Sequence, residues 1–313
     1  MALGHFARGG TVTRDDVPEV CRWVALTDAL AAFVRAEQGT QGQRHIKRMH
    51  WYTACRLVLE GGFHPDRVTP RPPFMVARRG RSNVLYYEPE SARGGEATVF
   101  GGLKTKDVDV VVNIPEIGPC LAVSMKGTLN AFRNLTNRLE EAVGDCTNIH
   151  IAYPALVYGF LHLCRANRQG PLPPNSSFLE PDTDGGVQHK DLAIDASGKV
   201  TEFIRNYGQA MARLTGRRDL RDDVSRYEAI ALILVNPYPE EVGHVFPGYP
   251  DPGSELCLSS FFESLYRHYD LRFVYGAANL RNRTQRLTWH PESPALQAEL
   301  AHDFASRVAA GDD

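Results

Sequence analysis

The sequence predicts an α/β fold, a mixed β-sheet flanked by helices, and three observations predict it. Residues 107–126 read as two short strands joined by a turn, and an apolar stripe at helical spacing follows them. Two long apolar runs, ALVYGFLHLC at 155–164 and YEAIALILV at 227–235, have the length and the bounding turn residues of buried strands. With 313 residues, 43% of them hydrophobic and 23% charged, the chain is long enough to bury a large core. Nothing marks a clean domain boundary. A single domain over 1–313 is therefore expected, with a helical elaboration over about 1–62 and an extension over about 190–313.

Each element has its own signal. Thr13 to Pro18 supplies an N-cap and an early proline, and Val20 to Arg35 carries apolar residues at helical spacing, so a first helix is expected there. Residues 37–42 break it. A second helix runs from about Gln43 to Glu60, where Gly61 and Gly62 stop it. Its first turns carry Arg44, His45, Lys47, Arg48 and His50, which form either a phosphate-facing end or an ordinary solvated helix start. Phe74 to Ala77 and Val84 to Tyr87 read as strands around the turn Arg78 to Asn83; its arginines either reach toward a nucleic-acid groove or are simply solvated. Glu88 to Ala97 is polar and glycine-containing, a loop before Thr98-Val99-Phe100.

Beyond the central stretch, the run 155–164 is a central strand with His162 as a core residue, and Asn167 to Gly186 is a long loop rich in proline. Val200 to Leu214 is an amphipathic helix, 227–235 a second buried strand and Leu256 to Tyr269 helical in pattern. Leu271 to Tyr275 reads as extended and Leu296 to Ala309 as a terminal helix. Arg281, Arg283 and Arg286, with Asn279 and Asn282, form the densest basic cluster near the C-terminus, a place to expect DNA backbone contacts.

Composition sets limits on function. A net charge of -2 excludes a uniformly basic surface, so any nucleic-acid contact must come from local clusters of the 35 Lys and Arg. Six cysteines, at 21, 55, 120, 146, 164 and 257, lack the close pairing of zinc ligands and read as buried thiols of a reducing cytoplasm. No stretch approaches a membrane span, and the N-terminal MALGHFARGG lacks the apolar core of a signal peptide. A cytoplasmic protein without a membrane partner is expected.

The chemistry concentrates in the central stretch. Asp107 to Val112 alternates acid and β-branched residue as a strand does when it presents an acid at its end, and Leu121 to Lys126 is its hairpin partner. Period two places Ser124 and Lys126 on one face with Met125 on the other. A lysine at the end of an apolar strand needs a nearby negative charge, and Asp107 and Asp109 supply it. On the helix that follows, Leu129, Phe132, Leu135, Leu139, Ala142 and Val143 define the apolar stripe. Measured from that stripe, Glu140 lies beside it and faces the strands, whereas Glu141 points nearly opposite. Two acids and a lysine converging at a sheet end suit a divalent cation with oxygen ligands, with a positive group to orient a water or a phosphate.

Asp109 followed by Ser124-Met125-Lys126 resembles the PD-(D/E)xK nuclease signature, with serine in place of the second acid. The spacing to Glu140 resembles a subgroup of type II restriction endonucleases that carry Ser-x-Lys on the strand and the displaced glutamate on the following helix. The resemblance covers about residues 44–165. It departs from the pattern where Val108 replaces the usual proline, and where Asn130-Ala131-Phe132-Arg133 retains only Arg133 of a base-contacting turn.

The resemblance implies a restriction-endonuclease-like sheet and a Mg²⁺-dependent endonuclease acting on DNA, with Mn²⁺ able to substitute. Its role would be restriction or antiviral defence, as a homodimer, with or without partner proteins of a defence system. Asp109, Glu140 and the Met125 carbonyl would hold the ion, Lys126 would orient the nucleophile or stabilise the phosphate, and Ser124 would support them. Lys104, Lys106 and Arg133 would contact DNA, and Glu60 and Asp107 are further candidate acids. Two alternatives stay open: a DNA-binding or assembly subunit that keeps the fold without cleavage, which the missing second acid favours, and cleavage of RNA.

Overall fold

The computed structural model describes residues 23–36 and 43–310. The helix start expected at Thr13 to Val20, the break at 37–42 and Cys21 lie outside the described residues. Nine strands are present among them: β1 (Val68–Thr69), β2 (Phe74–Arg79), β3 (Ser82–Tyr87), β4 (Ala97–Phe100), β5 (Thr105–Val108), β6 (Val110–Ile114), β7 (Gly118–Thr128), β8 (Val157–Arg165) and β9 (Ala229–Val235). The longer helices are α1 (Leu26–Val34), α2 (Lys47–Leu59), α3 (Leu135–Ala152), α4 (Glu202–Leu214) and α5 (Leu258–Tyr269).

The central sheet has five strands in the order β1-β6-β7-β8-β9. The β1/β6 and β6/β7 pairs are antiparallel, and the β7/β8 and β8/β9 pairs are parallel, so the sheet is mixed as expected. Parallel pairing requires a crossover, and α3 provides the one between β7 and β8. Period two then divides the core into two layers. Val110, Val112, Leu121, Val123, Met125, Leu161 and Ile233 pack with α1, α2 and α5 on one face. Val111, Ala122, Tyr158, Phe160 and Leu232 pack with α3 and α4 on the other. Both faces are covered, which is why β8 and β9 are buried along their whole length and read as unbroken apolar runs.

The strand expected over Asp107 to Val112 is two strands. β5 pairs with β4 in a separate two-stranded sheet, and β6 joins the central one, so the chain changes sheet at Asp109. Val108 and Val110, which an unbroken strand would place on one face, consequently belong to opposite core layers. The β4–β5 turn is tied to α3, because Asn148 Oδ1 accepts the N–H groups of Leu103 (2.8 Å) and Lys104 (3.0 Å).

Two other expectations fail near the C-terminus. Asp270–Tyr275 is a π-helical continuation of α5 rather than an extended segment, and its buried Phe273 and Val274 complete the apolar face of that helix. Residues 296–309 form short 3₁₀ turns followed by extended chain. There the backbone of 307–309 finds its partners in Leu59 and Trp289, so tertiary pairing overrides a helical pattern.

A buried ion cluster fixes the far end of β8. Glu228 accepts from Arg272 (2.7 Å), Arg217 (3.2 Å) and the Tyr158 N–H (2.6 Å), with Glu228 and the Arg217 side chain both removed from solvent. Deleting one member leaves its partners charged in an apolar layer. Glu228→Ala is expected to destabilise the protein by about 3–5 kcal/mol in urea denaturation; an unchanged midpoint would contradict the role given to this cluster.

Candidate metal centre

Asp109 is 5% exposed, and its position follows from the change of sheet described above. Its Oδ2 accepts the Met125 N–H at 2.6 Å, a bond across the β6/β7 end that holds the carboxylate against its hairpin partner. Its Oδ1 lies 3.4 Å from His50 Nε2. His50 comes from the buried face of α2, with Ala54 and Leu57 one and two turns later on that face. The 3₁₀ turn Gln43–Ile46 that leads into α2 packs directly on β7. At Gly127 a Cβ would stand 2.7–2.8 Å from His45, Ile46 and Phe33, so the absent side chain lets that turn close on the strand.

Glu96 completes the group. It follows Gly94 and Gly95, the latter in the left-handed region at φ 124°, and leads into β4. One ligand atom each from His50, Glu96 and Asp109 lies within 4.8 Å of the others. Three donors about 2.1 Å from one ion stand roughly 3.0–3.6 Å apart; His50 and Asp109, 3.4 Å apart, already have that spacing, and Glu96 has to move in by no more than about 2 Å. His50 and Glu96 also line a cavity of about 180 Å³ bounded by Lys47, Trp51 and Pro70, which opens the site to solvent.

The electrostatics suit a cation. Burial pushes the Asp109 carboxyl up to about 6, although the Met125 amide and the lysines 126 and 106 pull it down. Burial likewise pushes the His50 imidazole down to about 4, against the pull of Glu96. At neutral pH the pair is a carboxylate facing a neutral imidazole. His50 Nε2 is buried and makes no hydrogen bond among the described residues, an orphaned nitrogen beside two carboxylates. A divalent ion would satisfy that nitrogen and neutralise the buried acid together, and a mixed nitrogen and oxygen set suits Mn²⁺ better than Mg²⁺.

The residues expected from the sequence fall into three groups. Asp109, Met125 and Lys126 are together at the hairpin end, where the Met125 contact with Asp109 is made by its N–H. Glu140 and Glu141 exchange the orientations expected of them. Glu140 is exposed, and it is Glu141 Oε1 that lies 3.5 Å from Lys126 Nζ. The reason is the helix start. Residues 132–134 form a 3₁₀ turn after the left-handed Ala131, so Leu129 and Phe132 do not belong to the apolar stripe of α3. The stripe runs through Leu135, Ala142, Cys146 and Ile149, and the polar row beside it is Glu141, Asp145 and Asn148. Partial burial acts to raise the Glu141 carboxyl, but Lys126 and Arg138 outweigh it and hold it below the usual range.

The remaining residues are engaged elsewhere. Ser124 Oγ is 2.6 Å from Tyr158 OH in the layer under α3. Lys106 and Lys104 reach Asp145 at 2.5 and 3.8 Å, Asp107 accepts from Thr98 at 2.6 Å, and Glu60 is held by Arg56 at the far end of α2. Arg133 is exposed. His162 is a core residue as expected, bonded to Thr128 at 2.9 Å and to Tyr207. Among the described residues no helix is long and apolar enough to cross a membrane.

No protein-family model matches the sequence, no curated protein matches it, and no solved structure matches the fold.

Cation binding at this group would carry a definite pH dependence. All three ligands must be deprotonated, and the Asp109 carboxyl, pushed up to about 6, takes a proton before His50 does as pH falls. In calorimetric titrations Mn²⁺ affinity is expected to be flat above pH 7 and to fall by about tenfold per unit below 6. His50→Ala should weaken it at every pH. Stability of the metal-free protein follows a different rule. The raised Asp109 loses stability as pH rises from its unfolded value toward 6, and the lowered His50 loses it as pH falls from 6.5 toward 4. The two slopes oppose, so the denaturation midpoint should change little from this pair between pH 4 and 6, and a steep change abolished by Asp109→Asn would contradict the assignment.

Proposed function

We propose that the protein is a metal-dependent nuclease that hydrolyses phosphodiester bonds in DNA, with Asp109, His50 and Glu96 holding the cation and Lys126 acting beside it. The observation that carries this reading is the convergence of an orphaned imidazole nitrogen and two carboxylates at the end of the β6/β7 hairpin, next to a strand-end lysine. When bound, the ion supplies an acidified water and neutralises charge developing on the scissile phosphate. Glu96 takes the second carboxylate position that the motif resemblance assigned to Glu140.

The chain's own groups do the positioning. Met125 N–H fixes the Asp109 carboxylate in one orientation. Lys126 is one-quarter exposed and held by Glu141, itself 45% exposed, so its ammonium is not buried in a closed pair. Its role is to orient the attacking water or a phosphate oxygen. Ser124 works at one remove, bracing the strand through Tyr158. Exposed Arg133 remains available to phosphates, and Lys104, mostly in solvent despite its long contact with Asp145, adds positive charge on the same side of α3. A role in restriction or antiviral defence, and a homodimer able to cut both strands, rest on the motif resemblance.

A second reading, a DNA-binding or assembly subunit without cleavage, is favoured by the exposure of Glu140 and by the commitment of Ser124 to Tyr158. Plasmid and single-stranded DNA incubated with Mn²⁺ or Mg²⁺ separate the two. Cleavage is expected, strongest with Mn²⁺. Asp109→Asn and Lys126→Ala should each lower the rate by about 10²-fold or more, and Glu140→Ala should cut normally. Intact DNA in every condition would support the subunit reading, and full activity in Asp109→Asn would remove the site.

A further inference from the structure

Two basic stretches two hundred or more residues apart in sequence share one cavity. Arg78 and Arg81 come from the tip of the β2–β3 hairpin, and Arg281, Arg286 and Arg307 from the C-terminal segment; all five line a space of about 470 Å³. Asp270 is the sole acid among its lining residues, a local charge of +4 on a chain whose net charge is -2. Asp270 is already consumed, because Arg286 grips both of its oxygens at 2.9 and 2.7 Å.

The two arms are held together by backbone, not by the arginines. His290 N–H donates to Asn83 O at 2.8 Å, and Leu85 N–H to Ser293 Oγ at 3.1 Å, so the hairpin is docked whether or not an anion is present. At Gly80 the hairpin turn needs φ +62°, which a residue without Cβ adopts freely, and this turn presents Arg81. Arg78, Arg81 and Arg281 are exposed and make no ion pair among the described residues. Arg307 is held below the usual guanidinium range by burial and then by the neighbouring Arg286, and its Nε is buried without a hydrogen-bond partner. Three exposed guanidiniums without an ion pair, beside two more, make a cluster of one sign that suits an anion.

We propose that this cavity binds the phosphates of a nucleic-acid strand, as a docking site separate from the metal centre. The choice of a strand as the ligand rests on the nuclease reading above, and three features favour it over a small phosphorylated molecule. Arg78 and Arg81 on one arm and Arg281 on the other are exposed to solvent, suiting successive phosphates. The lining is mostly polar, without the enclosing apolar slot that buries a small ligand. Tyr275, 68% exposed on the rim, offers a ring on which a base can stack.

The test is fluorescence anisotropy with a labelled single-stranded oligonucleotide, in chelator so that nothing is cut, across about 50 to about 200 mM salt. The combined variant Arg78→Gln, Arg81→Gln, Arg281→Gln should lose about tenfold or more in affinity, and its log–log salt slope should shrink by about two, the value for three lost phosphate contacts on a single strand. Its Mn²⁺ binding should match the unaltered protein, which checks that the fold is intact. Unchanged affinity and slope would overturn the proposal. So would inorganic phosphate or a nucleoside monophosphate competing as well as the oligonucleotide, since that would mark a small-phosphate pocket. Failure of the nuclease reading is visible separately, as DNA that is held through these arginines and never cleaved; in that case the docking site stands.

Discussion

The Asp109 carboxylate is placed where the chain leaves one sheet for another, between two apolar layers, and is held there by the Met125 amide at 2.6 Å. A buried charge of this kind is costly unless something compensates it, and one backbone hydrogen bond compensates it only in part, so burial still pushes the carboxyl up to about 6. The surroundings are arranged around that deficit. His50 brings an imidazole kept neutral by burial, Glu96 brings a second carboxylate, and the group as a whole is short of positive charge at its centre. A cation resolves the shortage more completely than a proton, because it also meets the orphaned Nε2 of His50.

The same change of sheet separates two sets of charges. On the α2 side lie His50, Glu96 and the small cavity; on the α3 side lie Lys126 with Glu141 and the lysines 104 and 106 with Asp145. Asp109 stands at the seam, reaching His50 through one oxygen and the β7 backbone through the other. The lysines therefore act on Asp109 only at a distance, and Lys126 pairs instead with half-exposed Glu141. The arginine cavity lies on other elements altogether, the β2–β3 hairpin and the chain after α5, apart from the residues of the metal group.

Much of this was legible in the sequence. Alternation identified the hairpin and placed Ser124 and Lys126 opposite Met125, and the apolar runs of β8 and β9 could only be buried strands. What periodicity could not show was where it is interrupted. The break at Asp109 is made by pairing with β4, a long-range event, and the late start of α3 after Ala131 rotated the apparent apolar stripe toward Glu140 and hid Glu141. His50 carried a usable signal, since it sits four and seven residues before Ala54 and Leu57 on the apolar face of α2, but its basic neighbours made it read as part of a solvated end. Glu96 carried none. Its place depends on a glycine loop whose conformation no local pattern specifies. The two arginine stretches were each visible, but their meeting was not, because it rests on hydrogen bonds between segments more than two hundred residues apart.

The central claim is that one cation joins α2, the loop before β4 and the β6/β7 end. Crystals soaked in Mn²⁺, with an anomalous difference map at a wavelength where manganese scatters, test it directly. One strong peak is expected, bonded to His50 Nε2 and to carboxylate oxygens of Asp109 and Glu96. A peak bridging Asp109 and Glu140 with His50 unbound, or no peak beside Asp109, would contradict it.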